Sequence, residues 1–464
     1  MEQKIRVPVL IHPWNFARRM TRPLIKRTPS FPQRLTQWTR QLRKSPFLRP
    51  FAALSFLGPG LIAANAGNDA GGIATYASVG AQYGYSLLWA MVVITVCMAV
   101  VQEMCARMGA ATGKGLSDLI RERFGVRGAA FAMLTLLVAN TLITISEFAG
   151  IAAASDLFGI SKYITVPIAA VGVWFLTTRG SYGRVEKIFL AMTFAFLAYP
   201  IAAVLARPDW GQVAAQTVVP SFHLTSAYLL IFVGTVGTTI TPYMQVYLQS
   251  SVAEKKIDME HYGRERADAY VSAIFSDIIS ALIIIATAAT LFVVASHGKG
   301  YTINSAAQAA LALEPFAGKY AFILFAVGLV GASLLAAAVV PLSTSYAVCE
   351  SFGFERGVSF KLHEAPIFHG IYIGMLAIGA LVALIPGLPL IQLLIVAQVI
   401  NGMLLPILLV YILLLVNDHN IMGKYVNGPV NNTIAWGTTG LLSLLSTVMI
   451  LSIVLPLVGI PFLQ

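Results

Sequence analysis

Long apolar blocks occupy most of this chain after residue 50, and charged residues are confined to the short stretches between them. The blocks fall at 51–79, 85–106, 128–157, 162–178, 187–206, 225–250, 269–296, 319–351, 369–387, 389–416 and 433–457. A helix needs about 20 apolar residues to cross the hydrocarbon of a bilayer. The pattern predicts an all-α integral membrane protein with eleven transmembrane helices. The longest polar segment after residue 50 is a loop of about 20 residues, so no soluble domain fits.

Two blocks are interrupted deep inside. The first contains Gly67-Asn68-Asp69-Ala70-Gly71-Gly72, and the sixth contains Thr241-Pro242-Tyr243. Each glycine lowers helix propensity by about 1 kcal/mol relative to alanine. Pro242 removes an amide donor and clashes with the preceding turn. Paired interrupted helices mark a substrate site at the membrane midplane. Their offset of five spans predicts a five-plus-five inverted repeat: repeat one at 51–206, repeat two at 225–416, and an extra helix at 433–457. The two halves share negligible sequence similarity, so the repeat rests on the broken helices alone. Freed carbonyls at such breaks can face a cavity and coordinate a cation, because non-helical backbone at that depth must be buried in protein or line water. A carboxylate in a membrane core is expensive and is by default functional, which makes Asp69 a cation ligand. Its structural alternative is a cap on the half-helix that follows.

Composition changes this picture little. The 464 residues are 57% hydrophobic and 11% charged, with a mean hydropathy of +0.77, which is membrane composition. The net charge of +11 follows topology and implies no nucleic-acid partner. Residues 1–50 form a basic tail with twelve Lys or Arg and one acid, Glu2. The stretches 107–127, 179–187, 252–268 and 355–368 carry most of the remaining positive charge. The positive-inside rule puts the N-terminus in the cytoplasm and, after eleven spans, the C-terminus outside, in a plasma or bacterial inner membrane. The tail also suits contact with anionic lipid, and an organelle transit peptide has the same composition. Cys97, Cys105 and Cys349 have no paired spacing and predict neither a disulfide nor a thiolate site.

Further residues carry a resemblance. Gly58-Pro59-Gly60 followed by Asp69-Ala70-Gly71-Gly72 resembles the first helix of the natural resistance-associated macrophage protein (NRAMP) metal transporters, whose motif reads Asp-Pro-Gly-Asn. Gln82-Tyr83-Gly84-Tyr85, Ala106-Arg107-Met108-Gly109, Thr112-Gly113-Lys114 and Ile421-Met422-Gly423 are similar to that family, as is Gln398 with Pro406. The resemblance runs from about residue 50 to 450 and implies a LeuT-type fold and divalent-cation transport. The departures point to a branch. Thr241 stands where the family has a methionine ligand, and Gly72 where it has an asparagine ligand. Without a thioether, the remaining oxygen donors suit Mg²⁺, Ca²⁺ or Mn²⁺. The pattern is similar to the NRAMP-related magnesium transporters, with a roomy site for an ion that keeps several waters. Tyr243 replaces the family's first sixth-helix histidine, the second falls at Leu248 or Gln249, and Thr144 replaces an acid three residues before Glu147. These losses argue against proton coupling.

The resemblance implies a metal site of Asp69, Gly72, Thr238 and Thr241. Thr238 would give a carbonyl, Thr241 a hydroxyl or carbonyl, and Gly72 mainly space. Thr241 has a bland alternative, a hydroxyl bonded back to its own helix. Tyr243 and Gln398 are expected along the cavity. Glu147 is a relay, a second cation site or a buried acid bonded to a neighbouring helix. Asp277 either bonds Ser and Thr neighbours or attracts cations, and Glu103 is expected in a cytoplasmic vestibule. The expected function is passage of Mg²⁺, and Mn²⁺, down the electrochemical gradient without protons. One alternative is a proton-coupled Mn²⁺/Fe²⁺ importer, and another is a metal sensor that does not transport. The ion is substrate, no cofactor is called for, and no nucleophile–base pair of an enzyme is visible. Nothing sets the oligomeric state; a single chain is enough to build the site.

Overall fold

The computed structural model describes residues 68–179, 198–223, 225–295, 297–357 and 360–457. The basic tail, the Gly58-Pro59-Gly60 segment, the first span as far as Gly67, and 180–197, which takes in the start of the fifth span, lie outside the described residues. The described residues form helices and no strand. The principal ones are α1 (Ala70–Tyr83), α2 (Leu88–Thr112), α3 (Leu116–Asp156), α4 (Lys162–Arg179), α5 (Ala198–Leu205), α6 (Trp210–Val218), α7 (Ser226–Thr239), α8 (Pro242–Glu254), α9 (Tyr262–Thr287), α10 (Ala321–Phe352), α11 (Pro366–Leu384), α12 (Leu390–Val416) and α13 (Pro429–Leu457). Among the described residues, eight helical runs are long and apolar enough to cross a membrane, and α4 is a shorter apolar helix. Within those residues each predicted span falls on helix, with ends shifted by a few positions; α1 and α5 are the described parts of the first and fifth.

The stretch 107–127, expected as a loop, is mostly helical. Only residues 113–115 separate α2 from α3, and Gly113 turns the chain with a φ of +66°. Leu116, Leu119 and Ile120 are buried, so an amphipathic turn was hidden among the charges. Gly125, at φ +68°, then breaks α3 before its membrane part begins.

The second predicted break is present, and at the first the described side begins non-helical. Asp69 is extended, with ψ 179°, and precedes the first turn of α1. Helix α7 stops at Thr239, Thr241 is extended (φ −81°, ψ 142°), and Pro242 opens α8. Proline suits that first position, where its missing amide would have had no helical acceptor.

Close backbone contacts hold the helices around these breaks. A Cβ at Gly237 of α7 would lie 2.2 Å from the Gln398 carbonyl oxygen and 2.4 Å from the Gly402 amide nitrogen of α12. A Cβ at Gly150 of α3 would lie 2.5 Å from Ala70 Cβ and 2.6 Å from Ser333 Oγ, so α1, α3 and α10 meet there. A Cβ at Gly80 of α1 would meet the Ile284 carbonyl oxygen of α9 at 2.3 Å. Small residues at such crossings are how membrane helices gain packing without a hydrophobic drive between them.

Overpacking against backbone costs about 1–3 kcal/mol and more where nothing can yield. Gly237→Val is expected to lower the apparent melting temperature in detergent well below that of Gly374→Val, since Gly374 has nothing within 4 Å of a new Cβ. Equal melting temperatures for the two variants would contradict the tight α7–α12 seam.

Candidate metal centre

The N-terminus of α1 gathers two carboxylates. Asp69 Oδ1 accepts the Gly72 amide at 2.6 Å, the geometry of an N-cap. Glu147 Oε2, from α3, accepts the Ala70 amide at 3.3 Å, and Ser146 donates to its other oxygen at 3.2 Å. Both acids are buried, and among the described residues neither pairs with Lys or Arg. The positive end of the helix favours negative charge there. Gln398 of α12 donates its Nε2 to both oxygens of Asp69, at 3.1 and 3.3 Å. Gly71 makes that approach possible, because a Cβ there would stand 2.2 Å from Gln398 Nε2. The Gln398 Oε1 is buried without a hydrogen-bond partner.

The second break supplies oxygen. Most helix threonines here return their hydroxyl to the carbonyl four residues back: Thr75 to Gly71, Thr235 to Ile231, and Thr239 to Thr235, at 2.7–2.8 Å. Thr238 and Thr241 do not; both hydroxyls are fully buried, that of Thr238 without a partner among the described residues and that of Thr241 beside the Tyr243 hydroxyl. The back-bonded alternative for Thr241 is therefore not what the structure adopts. Pro242 lies four residues after Thr238, so no amide at that position can take the Thr238 carbonyl. Asn401 Nδ2 takes the neighbouring Gly237 carbonyl at 2.6 Å. Tyr243, buried in the first turn of α8, lies within electrostatic reach of Asp69 and Glu147. Gly72 sits in the first turn of α1, its amide taken by Asp69 and its carbonyl committed to the helix ladder.

Glu147, a buried acid of α3, bonds to the first amide of the half-helix that begins after Asp69. Asp277, on α9, belongs to a different cluster: Thr95 hydrogen-bonds it, one of its oxygens is unpartnered, and the Tyr76 hydroxyl is close. Next to it, Asn68 donates to Ser276 at 3.1 Å and accepts from Ser280 at 3.0 Å. Tyr76 meets Thr239 Oγ1 at 2.8 Å and so bridges the two broken helices. Sequence reasoning named neither Tyr76 nor Gly71 as part of the site. The signal for Tyr76 was its place two turns after Asp69; for Gly71, nothing distinguishes it from its neighbours.

Glu103 lies outside the Asp69 cluster. It is buried and paired with Arg107 at 3.2 Å, and Tyr262 donates to it. Arg107 also donates to the carbonyls of Tyr425 and Val426, each at 3.1 Å, and to Asn427. The clasp ties α2 to the segment between α12 and α13. At the far end of α3, a cleft of ≈ 580 Å³ is lined by Asp156, Asn304, Ser305 and Leu390 among others. None of Asp69, Thr238, Thr241 or Gln398 lines it.

The family described as natural resistance-associated macrophage protein-like matches residues 60–452. The chain belongs to this family. The divalent metal cation transporter MntH of Pectobacterium carotovorum subsp. carotovorum (strain PC1) is 30% identical over 384 residues, which is 81% of this chain and 89% of that protein. MntH of Deinococcus radiodurans is 29% identical over 392 residues, 82% of this chain and 86% of that protein. Among solved structures, the Eremococcus coleocola manganese transporter in complex with an aromatic bis-isothiourea substituted compound superposes with a TM-score of 0.67 at 21% identity, covering 86% of each chain. A nucleobase-cation-symport-1 family transporter in a closed conformation gives 0.50 at 15% identity, covering 86% of this chain and 91% of that one. This NRAMP chain has the LeuT-like fold that its family resemblance implies, and it is an integral membrane transporter, not an enzyme.

The cap at Asp69 has a structural share that can be isolated. Removing an N-cap costs about 0.5–2 kcal/mol. Asp69→Ala should lower the apparent melting temperature, whereas Asp69→Asn, which keeps an oxygen acceptor for the Gly72 amide, should not. Melting curves of the two purified variants check this, and indistinguishable losses would count against the cap.

Proposed function

We propose that this NRAMP-family membrane transporter of divalent cations carries Mg²⁺, and Mn²⁺, down the electrochemical gradient without moving protons. The ion binds between the half-helices with Asp69 as its charged ligand, the Thr238 carbonyl and Thr241 as further oxygen donors, and retained waters completing its shell. Gly72 gives the shell room. Gln398 leaves Asp69 as the ion arrives and turns its free oxygen to one of those waters. The proposed orientation has a cytoplasmic N-terminus.

One observation carries the reading: the side-chain ligand atoms that Asp69, Thr238 and Thr241 bring to the breaks are all oxygens. Met244, the methionine nearest in sequence to Thr241, is packed in the apolar core. Hard oxygen ligands favour Mg²⁺, Ca²⁺ and Mn²⁺ over soft metals. Mg²⁺ dehydrates reluctantly and keeps several waters, which suits a site with few protein charges. Among the described residues no group of three His, Cys, Asp or Glu gathers. No histidine lies on α7 or α8 to relay a proton. A potential of 100 mV supplies about 4.6 kcal/mol for a divalent ion, from roughly 2.3 per charge, so uptake needs no second gradient. The second reading, a proton-coupled manganese importer, draws on the named activity of the relatives and on Glu147 beside Asp69.

Proteoliposomes holding a magnesium dye and a pH dye, under an imposed potential, separate the two. The expected result is Mg²⁺ uptake without acidification, lost in Asp69→Asn. No Mg²⁺ uptake, with Mn²⁺ uptake that acidifies the lumen, would establish the manganese importer instead. In the same assay Thr241→Met should raise Cd²⁺ transport relative to Mg²⁺ about tenfold or more, in line with thioether softness; an unchanged ratio would remove Thr241 from the ion's ligands.

A further inference from the structure

Two glutamines in the core of the helix pair α2–α8 have no hydrogen-bond partner among the described residues. Gln102 and Gln245 are both 0% exposed, and all four of their amide atoms lack hydrogen-bond partners. Gln249, one turn beyond Gln245, is also 0% exposed; its Nε2 donates to the Lys114 carbonyl at 3.1 Å, while its Oε1 is unpartnered. An unsatisfied buried polar group costs about 1–3 kcal/mol, and each amide here could have been an apolar residue of the same size.

The placement is ordered. Thr241, Gln245 and Gln249 follow each other at intervals of four, one face of a helix. On α2, Gln102 precedes Ala106 by four residues and Gly109 by seven, again one face. Ala106 and Ala110 pack with Leu248 and Val252, and a Cβ at Gly109 would lie 2.8 Å from the Gln249 carbonyl oxygen. This register sets Gln102 opposite Gln245, one turn from Thr241. The row leads from the break to Lys114, in the connection between α2 and α3.

We infer that Gln102, Gln245 and Gln249 form a second cation subsite, in which a divalent ion that has left Thr241 is held through its own waters. The inference rests on the transport reading above. Carboxamide oxygens accept hydrogen bonds from metal-bound water and the amide nitrogens donate to it, so one side chain serves a hydration shell in either orientation. Neutral amides also fit the task of release. Conduction needs sites that bind well enough to admit an ion and weakly enough to lose it, and a carboxylate in hydrocarbon would hold a divalent ion too long. Two turns separate Thr241 from Gln249, so the row spans about 12 Å of the route at 1.5 Å per residue.

The test uses the full chain in liposomes and in detergent, with Mn²⁺ as the probe for binding. The double variant Gln102→Leu/Gln245→Leu is expected to transport about tenfold more slowly while its Mn²⁺ affinity by calorimetry stays within about twofold of wild type. Gln245→Glu is expected to raise the Mn²⁺ stoichiometry from one to two per chain, with a second spectral component in electron paramagnetic resonance. Transport by the double variant within twofold of wild type would make the glutamines packing only. Parallel loss of rate and affinity would place them in the Asp69 site, and either result overturns the subsite. Should the double variant not fold, the Gln245→Glu stoichiometry decides alone, one ion per chain overturning the proposal. Wild-type transport of Mn²⁺ but not Mg²⁺ would overturn the magnesium reading while leaving this comparison readable with Mn²⁺.

Discussion

Backbone amides and carbonyls in hydrocarbon have no solvent to bond to, and the centre of this protein is organised by that constraint. At the start of α1 the helix's own ladder cannot supply partners, so carboxylates take the amides: Asp69 that of Gly72, Glu147 that of Ala70. At the end of α7 the same problem is met for one carbonyl by Asn401 and left open for the next by Pro242. Each break thus recruits side chains from another helix, α3 and α12 respectively. The glycines at 150, 237 and 402 let those helices come close enough to deliver them.

The chemistry of the centre follows from how its charges are met. Two acids share one helix end and lean on dipoles and neutral donors, with Gln398 bonded to both oxygens of Asp69. Among the described residues no lysine or arginine is fixed on either acid, so an incoming cation competes with a neutral amide. The ion pair of α2 makes none of these contacts. Glu103 and Arg107 satisfy one another, and the guanidinium has further partners of its own.

Much of this was legible in the sequence, for a physical reason. A glycine cluster with an aspartate, or a proline in an apolar run, contradicts the helix around it locally, so both breaks could be read from a few residues. The spans were legible because lipid demands length and apolarity over about 20 residues. What escaped depends on pairing between distant segments. That Gly71 makes room for Gln398, that Glu147 caps the half-helix of Asp69, and that Glu103 is locked by Arg107 are facts of helix register across more than one element. The helical start of α3 was masked for another reason: its buried Leu116, Leu119 and Ile120 stand among charges, so average polarity concealed their spacing.

The clasp at Arg107 reaches Tyr425 and Val426 through their carbonyl oxygens, so it reads the path of the chain there and not its side chains. The clasp itself therefore sets no demand on the side chains at those two positions, which are held instead by their packing against the core. It does demand the guanidinium. Lysine carries a compact charge without the rigid fork that lets arginine bond two carbonyls, an amide oxygen and a carboxylate from one fixed plane.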